Sequence, residues 1–374
     1  MEQRHRIIPY YSIMAASMAS AFAIWLGLDR RFLEKYHFRW TIDDWKLVEI
    51  PLLFATCVFA YLFARGMFRG FSETKPAPSV SFIPLSYLLL AGNIVIVCLS
   101  IILTMFHREY FGWNVKELGH IALAQEFMIM VGLILLMTSA WSMHKSDLRT
   151  IFGLKAAWLC GLMGAGVFLL LMEEISWGQH FFGWSSPEAF KQNIQNETNI
   201  HNFYTNRFEF IYYSAAFLCF VVLPIVANQI KKTGFDQLRF FIPPASFGLA
   251  AIPVAGLMYE NWGIFIYQVY FLIGVSLAFV AARTGNGLTR LSMLVLGLVM
   301  IGSQVAFLGL GHKLMSSYEI GEMRETAIAF TLALYGVWLI SKTYPIVHHL
   351  RPGSVGHHEK LNDCPTLAGK AGRD

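Results

Sequence analysis

The chain has 374 residues, of which 56% are hydrophobic and only 14% are charged, with a formal net charge of +5. A soluble domain averages about 25% charged residues, so this composition excludes an ordinary soluble enzyme, a disordered chain and a nucleic-acid-binding protein. Long apolar runs and a mean hydropathy of +0.50 indicate a polytopic membrane protein. We expect an all-α bundle of transmembrane helices in the cytoplasmic (inner) membrane.

Ten segments are apolar enough to be read as helices that cross a bilayer, which takes about 20 residues. In chain order they are 7–28, 50–64, 82–106, 120–142, 151–172, 210–228, 240–258, 262–282, 290–311 and 326–343. The first begins with basic residues, as a signal peptide does, but its long apolar stretch predicts a retained anchor. Residues 1–343 are therefore predicted to form the bundle, and residues 344–374 a flexible cytoplasmic tail.

The charges predict an orientation for these spans, because cytoplasmic loops are enriched in Lys and Arg. With ten spans, 18 of the 29 Lys and Arg residues fall on the side that holds both termini. Both termini are therefore predicted to be cytoplasmic. The acidic residues have the opposite bias, since 17 of 24 lie on the outer side or at outer helix ends. Polar chemistry is thus expected to face the periplasm or the exterior.

Several outer acidic residues lie near helix N-termini, where the helix dipole stabilises an anion by about 0.3–1 kcal/mol. They are Glu49, Glu126, Glu209, Glu260 and Glu325. Capping or dipole pairing is the simplest interpretation of each. Glu126 and Glu260 also have close apolar neighbours, and ionisable groups within spans are functional candidates.

Glu173 and Glu174 have no such explanation, because they end the fifth span at its C-terminus, where the dipole disfavours anions. Two adjacent carboxylates there require a cation, a metal, a shared proton or an Arg partner. If the helix continues, Trp177, His180 and Trp184 follow on the face of Glu173. The two tryptophans fit either an interfacial belt or the border of a lipid headgroup or sugar site.

The segment that follows is predicted to be a helical loop on the outer face, over 173–207. Its Glu197 and His201 are four residues apart, so on a helix they face the same way. That spacing suits one metal ion or a His base oriented by a carboxylate. Asn199 and Asn202 are the candidate hydrogen-bonding residues for a substrate.

The last outer loop has three acidic residues at intervals of three, Glu319, Glu322 and Glu325. They form a stripe on one helical face. The stripe fits either a solvated amphipathic face or a surface that closes over the region of Glu173.

A long motif in the same region resembles the signature of an uncharacterised family of bacterial polytopic inner-membrane proteins. The matching letters are E-E-I-S-W-G-Q at 173–179, F-G at 182–183, P-E at 187–188, and Asn193, Gln195, Glu197, Asn199, His201 and Asn202. The family pattern resembles Arg at the position of His180. The resemblance therefore implies a cationic partner for Glu173 or Glu174 there and makes His180 a weaker metal ligand; it implies no particular activity.

The first functional interpretation is a membrane-embedded enzyme that acts on a lipid or a lipid-linked substrate. Its catalytic residues would be Glu173, Glu174, Glu197 and His201. A divalent metal is the candidate cofactor, with Glu174, Glu197 and His201 as ligands and His180 as a doubtful one. The candidate substrate-binding residues are Trp177, Trp184, Asn199, Asn202, Glu126 and Glu260.

Two other interpretations remain open: a proton- or cation-coupled transporter, and an accessory subunit with protein partners within the membrane. Membrane lipid is an expected partner in every case. An enzyme predicts one closed polar pocket that joins the four catalytic residues. A transporter predicts a cavity that is lined by Glu126 and Glu260 and reaches the membrane midplane. A subunit predicts that the polar groups lie on the surface of the chain.

Overall fold

The fold is described by a computed structural model, whose described residues form helices, turns and connecting segments without a strand. These residues are 49–69, 83–144, 153–193, 196–227, 238–316 and 318–349. The predicted first span and the part of the predicted tail from residue 350 onward lie outside them.

The described helices are named here in chain order. They are α1 Glu49–Arg69, α2 Pro84–Phe106, α3 Arg108–Asn114, α4 His120–Met143, α5 Ala156–Glu174, α6 Gln179–Phe182, α7 Thr205–Ala216, α8 Leu223–Ala227, α9 Ala245–Ala250, α10 Phe265–Thr284, α11 Gly287–Leu310 and α12 Glu319–His349. A π-helical stretch, Phe217–Val222, joins α7 to α8 as one continuous helical segment.

Seven helices among the described residues are long and apolar enough to cross a membrane. They are Pro84–Phe106, His120–Met143, Ala156–Glu174, Arg207–Ala227, Ile266–Thr284, Gly287–Lys313 and Glu319–Thr343. The apolar part of α1, Ala55–Met67, is shorter. The predicted all-helical architecture is therefore confirmed for the described residues, and its apolar helices are compatible with an integral membrane protein, whereas the count of ten spans and the orientation are not confirmed.

The prediction of a continuous helix over 240–258 is wrong. After the six residues of α9, the chain continues as a 3-10 turn, Ile252–Ala255, and Leu257 has a left-handed backbone with φ 61°. Residues 245–259 are nevertheless buried throughout. Apolar composition therefore identified a buried segment here, but it did not distinguish a spanning helix from a broken one.

Side chains from the surrounding helices complete the hydrogen bonding of this broken segment. An apolar environment requires such partners, because an unpaired backbone group there costs several kcal/mol. The bonds run from Asn93 Nδ2 of α2 to Ala250 O (2.9 Å), from Gln304 Nε2 of α11 to Met258 O (2.8 Å) and from Arg324 Nε of α12 to Val254 O (3.0 Å). The broken segment is thus held by three different helices.

Close packing between α4 and α12 depends on two glycines. A Cβ atom on Gly336 would lie 2.8 Å from Cβ of Leu135, and one on Gly132 would lie 3.0 Å from Cγ of Leu332. Small residues at such contacts let two membrane helices approach closely. The approach brings the N-terminal turns of α4 and α12 together, where most of the polar side chains described below are found.

Three loops meet at that end of the bundle, which we call the loop end. They are 107–119, 175–193 with 196–204, and 311–316. The first and third are in contact, since a Cβ atom on Gly112 would lie 2.6 Å from Sδ of Met315.

Replacing Gly336 by Ala is expected to lower the stability of the fold by about 1–3 kcal/mol, because the added methyl group overpacks the contact with Leu135. Gly302→Ala is the matched control, since nothing lies within 4 Å of a Cβ atom at that helical position. Ala has the higher helix propensity, so the control should be neutral or slightly stabilising. Thermal unfolding in detergent measures both; equal shifts for the two variants would contradict the packing argument.

Candidate functional site

The chain reverses immediately after α5, and this reversal separates Glu173 from Glu174. Ser176 and Trp177 have φ values of 46° and 55°, and Gly178 has φ 89°. A left-handed backbone at non-glycine residues cannot continue a right-handed helix. The expectation that Trp177, His180 and Trp184 extend the helical face of Glu173 is therefore wrong.

Glu173 attaches the returning loop to the end of α5. Its Oε2 accepts hydrogen bonds from the backbone N–H groups of Ile200 (2.7 Å) and His201 (3.0 Å), and its Oε1 accepts one from Nε1 of Trp177 (3.0 Å). Nδ1 of His201 lies 3.6 Å from the same Oε2. With these partners, Glu173 acts as a cap for the turn at 201–203.

The loop from 196 to 204 is not an α-helix, so Glu197 and His201 do not share a helical face. Asn196 has φ 56°, and His201 begins a three-residue 3-10 turn. Asn193 replaces the helical hydrogen bonds, because its Oδ1 accepts from the backbone N–H of Glu197 at 3.0 Å and its Nδ2 donates to the Glu197 carbonyl. The side chain of Glu197 therefore points to partners of its own.

Glu197 is buried, with 8% of its surface exposed, and three side chains donate to one of its oxygens. Ser176 Oγ, Asn199 Nδ2 and Asn202 Nδ2 lie 3.0, 2.7 and 3.0 Å from Oε2. Both asparagines are themselves buried. Their amides thus orient a carboxylate of the protein, and a role in contacting a substrate stays a prediction.

The second oxygen of Glu197 faces a histidine and another carboxyl group. Oε1 lies 3.5 Å from Nε2 of His180, and the ligand atoms of Glu117, His180 and Glu197 all lie within 4.8 Å of one another. Burial, followed by the carboxyl group of Glu117, raises the pKa of Glu197 to about 7. We call these three residues the loop site. Glu117 is a single acid in a short loop, and nothing in its local sequence distinguished it.

The side chain of Glu174 points into the bundle, away from the returning loop that Glu173 binds. Nε2 of Gln125 on α4 donates to Oε2 of Glu174 (3.1 Å) and to Oε2 of Glu325 (3.4 Å). Oγ1 of Thr326 lies 3.3 Å from Oε1 of the same glutamine. Gln125 therefore bridges the end of α5 and the beginning of α12.

The acidic stripe of α12 lies inside the protein, so its interpretation as a solvated face is wrong. Glu319 is fully buried, and Glu322 and Glu325 are partly buried. Glu325 lies beside Glu174, as the bridge through Gln125 shows. The alternative, that the stripe closes over the region of Glu173 and Glu174, is the one that the structure bears out.

Further carboxyl groups lie within electrostatic range of this contact, and together they form what we call the embedded acidic cluster. Its members are Glu126, Glu174, Glu209, Glu322 and Glu325. All five lie in the membrane-spanning segments at the loop end.

Arg324 is the cation within this cluster, and it is 1% exposed. Its guanidinium carbon lies 4.0 Å from the ring centroid of Tyr213 and 5.0 Å from that of Tyr267. The hydroxyl group of Tyr213 donates to Oε1 of Glu325 at 2.6 Å. Cation–π contacts and the bond from Nε to Val254 thus hold a charge that would otherwise be costly to bury.

A small cavity of about 30 Å³ adjoins the cluster, which is room for water or a small ion. Its lining residues are Glu209, Tyr213, Leu257, Met258, Tyr259, Asn261, Tyr318, Gly321, Glu322 and Glu325. The lining combines the broken segment after α9 with the acidic stripe. Glu126 does not line it, so this cavity is not the one that the transporter interpretation predicted, and the side chain of Glu260 lies outside the described part of the structure.

The residues singled out by sequence are therefore divided among three places. Glu173 pairs with His201, Glu174 belongs to the embedded acidic cluster, and Glu197 belongs to the loop site. Among the described residues, the proposed metal ligands Glu174, Glu197 and His201 do not form one group.

The two tryptophans both reach the surface. Trp177 is 38% exposed while its indole N–H bonds to Glu173, and Trp184 is 43% exposed. Trp184 stacks on Phe182, with ring centroids 5.4 Å apart. Their exposure is compatible with either a membrane-interface belt or a binding surface, so both interpretations of the tryptophans stay open.

Comparison with known proteins identified no relative of this chain. No protein-family model matches the chain, and no curated protein and no solved structure matches it. Functional inference therefore rests on the geometry of this structure alone.

The pH dependence of the loop tests the placement of His201. Burial lowers the pKa of its imidazole, and the charge of Glu173 opposes that shift only in part. In the unfolded chain the imidazole binds a proton near pH 6.5, whereas in the folded protein it binds one only at a lower pH. The free energy of unfolding is therefore highest above about pH 6.5 and falls as the pH drops below it. One such group contributes at most about 1.4 kcal/mol per pH unit.

His201→Asn should therefore flatten the fall in the unfolding temperature between about pH 7.5 and pH 5. His312→Asn is the control, because His312 is exposed. If both variants keep the pH profile of the unaltered protein, a neutral state of the partly buried His201 is excluded.

Proposed function

We propose that the protein is a proton- or cation-coupled transporter and that its coupling ion binds the embedded acidic cluster. The central residues of this proposal are Glu174, Glu322 and Glu325, with Gln125 and Tyr213 as their hydrogen-bonding partners. Localisation in the cytoplasmic membrane is part of the proposal, and the distribution of Lys and Arg favours an orientation with this end of the bundle outward.

The observation that carries the proposal is the charge balance of the cluster. Glu174 interacts electrostatically with Glu126 and Glu325, and Glu322 interacts with Glu174, Glu209 and Glu325. The guanidinium of Arg324 lies within range of Glu209 and Glu325. Several uncompensated charges in an apolar environment are too costly to keep. Most of the carboxyl groups must therefore carry protons or share a cation, and an exchange between the two is the chemistry that such a cluster offers.

The surroundings of the cluster favour ion exchange as well. The chain after α9 contributes Leu257, Met258, Tyr259 and Asn261 to the lining of the cavity, and many transporters form their ion sites beside discontinuous helices. The cavity admits water or a small ion. The terminal nitrogens of Arg324 have no hydrogen-bond partner among the described residues, so they can respond to a carboxyl group that changes its charge.

The two other interpretations have less support. The enzyme interpretation requires Glu173, Glu174, Glu197 and His201 in one closed pocket, and their contacts divide them among separate groups. The subunit interpretation requires polar groups on the surface, whereas Arg324 and Glu319 are buried.

Reconstitution of the full chain in liposomes tests the transporter proposal. With a pH-sensitive dye inside, a sodium gradient, a potassium gradient and an imposed membrane potential are applied in turn. We expect at least one of them to drive proton movement. Glu322→Gln and Glu325→Gln should each slow that movement about tenfold or more, because Gln can exchange neither a proton nor a cation.

Glu188→Gln is the matched control for these variants. Glu188 is exposed, pairs with Lys191 at the surface and lies outside the cluster, so this variant should retain the full rate. Absence of proton movement under all three conditions, or equal rates in all three variants, would contradict the proposal.

A further inference from the structure

We infer that the loop site, formed by Glu117, His180 and Glu197, binds one divalent metal ion of the first transition row, with zinc as the expected type. This inference concerns the loops and stands apart from the embedded acidic cluster. It rests on the identity of the three side chains, on their spacing and on the residues that orient them.

The three side chains offer a ligand set that such a metal prefers. Imidazole and carboxylate groups are both zinc ligands, at bond lengths of about 2.0–2.2 Å. Two ligand atoms on one tetrahedral ion are then about 3.4 Å apart. The ligand atoms of the loop site lie within 4.8 Å of one another, so the three side chains would move toward the ion on binding.

The charge at the loop site also calls for a cation. Two carboxyl groups meet there, and among the described ion pairs Glu197 is joined only by His180 and by no Lys or Arg. Lys116, which precedes Glu117 in the chain, lies instead over the ring of Trp113 at 4.8 Å. A divalent ion would neutralise both carboxylates at once.

The buried ligand is oriented before any metal arrives. Ser176, Asn199 and Asn202 all donate to Oε2 of Glu197, so Oε1 is the oxygen that is turned toward His180. Partners that fix the first ligands in this way are a regular part of metal sites.

Access for the metal comes from the opposite side of the loop site. Glu117 is exposed, and the side chain of His180 is 19% exposed. Glu197 is thus fixed by its hydrogen bonds, whereas Glu117 and His180 are accessible from solvent. An ion bound by three protein ligands keeps a position for water or for a further ligand.

The test measures zinc binding to the full chain in detergent after removal of metals with a chelator. Four histidines near the C-terminus, at 348, 349, 357 and 358, are replaced by Ala in every sample, and purification uses no histidine tag. Titration calorimetry should then give one zinc ion per chain. Cobalt in place of zinc should show the absorption of a nitrogen- and oxygen-coordinated ion.

Glu117→Gln and His180→Gln should each lower the zinc affinity by at least about tenfold, the size of effect known for partners of metal ligands. Glu117 is exposed, so its variant is expected to fold normally. Asn202→Ala should weaken binding through the loss of orientation. Glu188→Gln, in the same stretch of loop but paired with Lys191, is the control and should bind as before.

The inference is overturned if no saturable zinc binding is found, or if Glu117→Gln and His180→Gln bind as tightly as Glu188→Gln. In the first case the two carboxyl groups share a proton instead of a metal. Saturable binding that is lost in the first two variants and kept in the control supports the site, whatever the outcome of the ion-flux experiment.

Discussion

The contacts of the buried Arg324 guanidinium organise the loop end of the bundle. Its Nε donates to the carbonyl oxygen of Val254 and so ties α12 to the broken segment, while the rings of Tyr213 and Tyr267 cover its faces. A buried cation without compensation costs several kcal/mol, and so does an unpaired carbonyl group in an apolar interior. Each therefore supports the other, and the next residue, Glu325, is bound by Tyr213, one of the two rings that cover Arg324.

That arrangement explains why an irregular backbone is tolerated inside an apolar bundle. Regular helical bonds are lost at the end of α9 and in the segment that follows, and Asn93, Gln304 and Arg324 supply donors to the carbonyl groups there. The break also borders the small cavity that Glu209, Glu322 and Glu325 line. The polar residues of the spanning helices thus serve both the fold and the cluster from which an ion-exchange function is proposed.

The adjacent pair Glu173 and Glu174 shows how one turn of backbone creates two separate environments. Glu173 caps the returning loop, and Glu174 reaches Gln125 inside the bundle. The left-handed residues that follow make this possible, since they end the helix and send the chain back over it. The pair of Glu173 with His201 and the embedded acidic cluster therefore begin at adjacent residues, although they lie in different surroundings.

The sequence by itself determined the all-helical, strongly apolar character of the chain and the positions of most long helices. Those properties follow from composition and local pattern, because about 20 apolar residues suffice to define a span. Only the tertiary structure decided which carboxyl groups meet. Glu117 approaches Glu197, and Glu325 approaches Glu174, through contacts between residues distant in the chain. The break after α9 could not be predicted from the sequence either. Side chains from three other helices form hydrogen bonds to its backbone, and such long-range contacts leave no local sequence pattern.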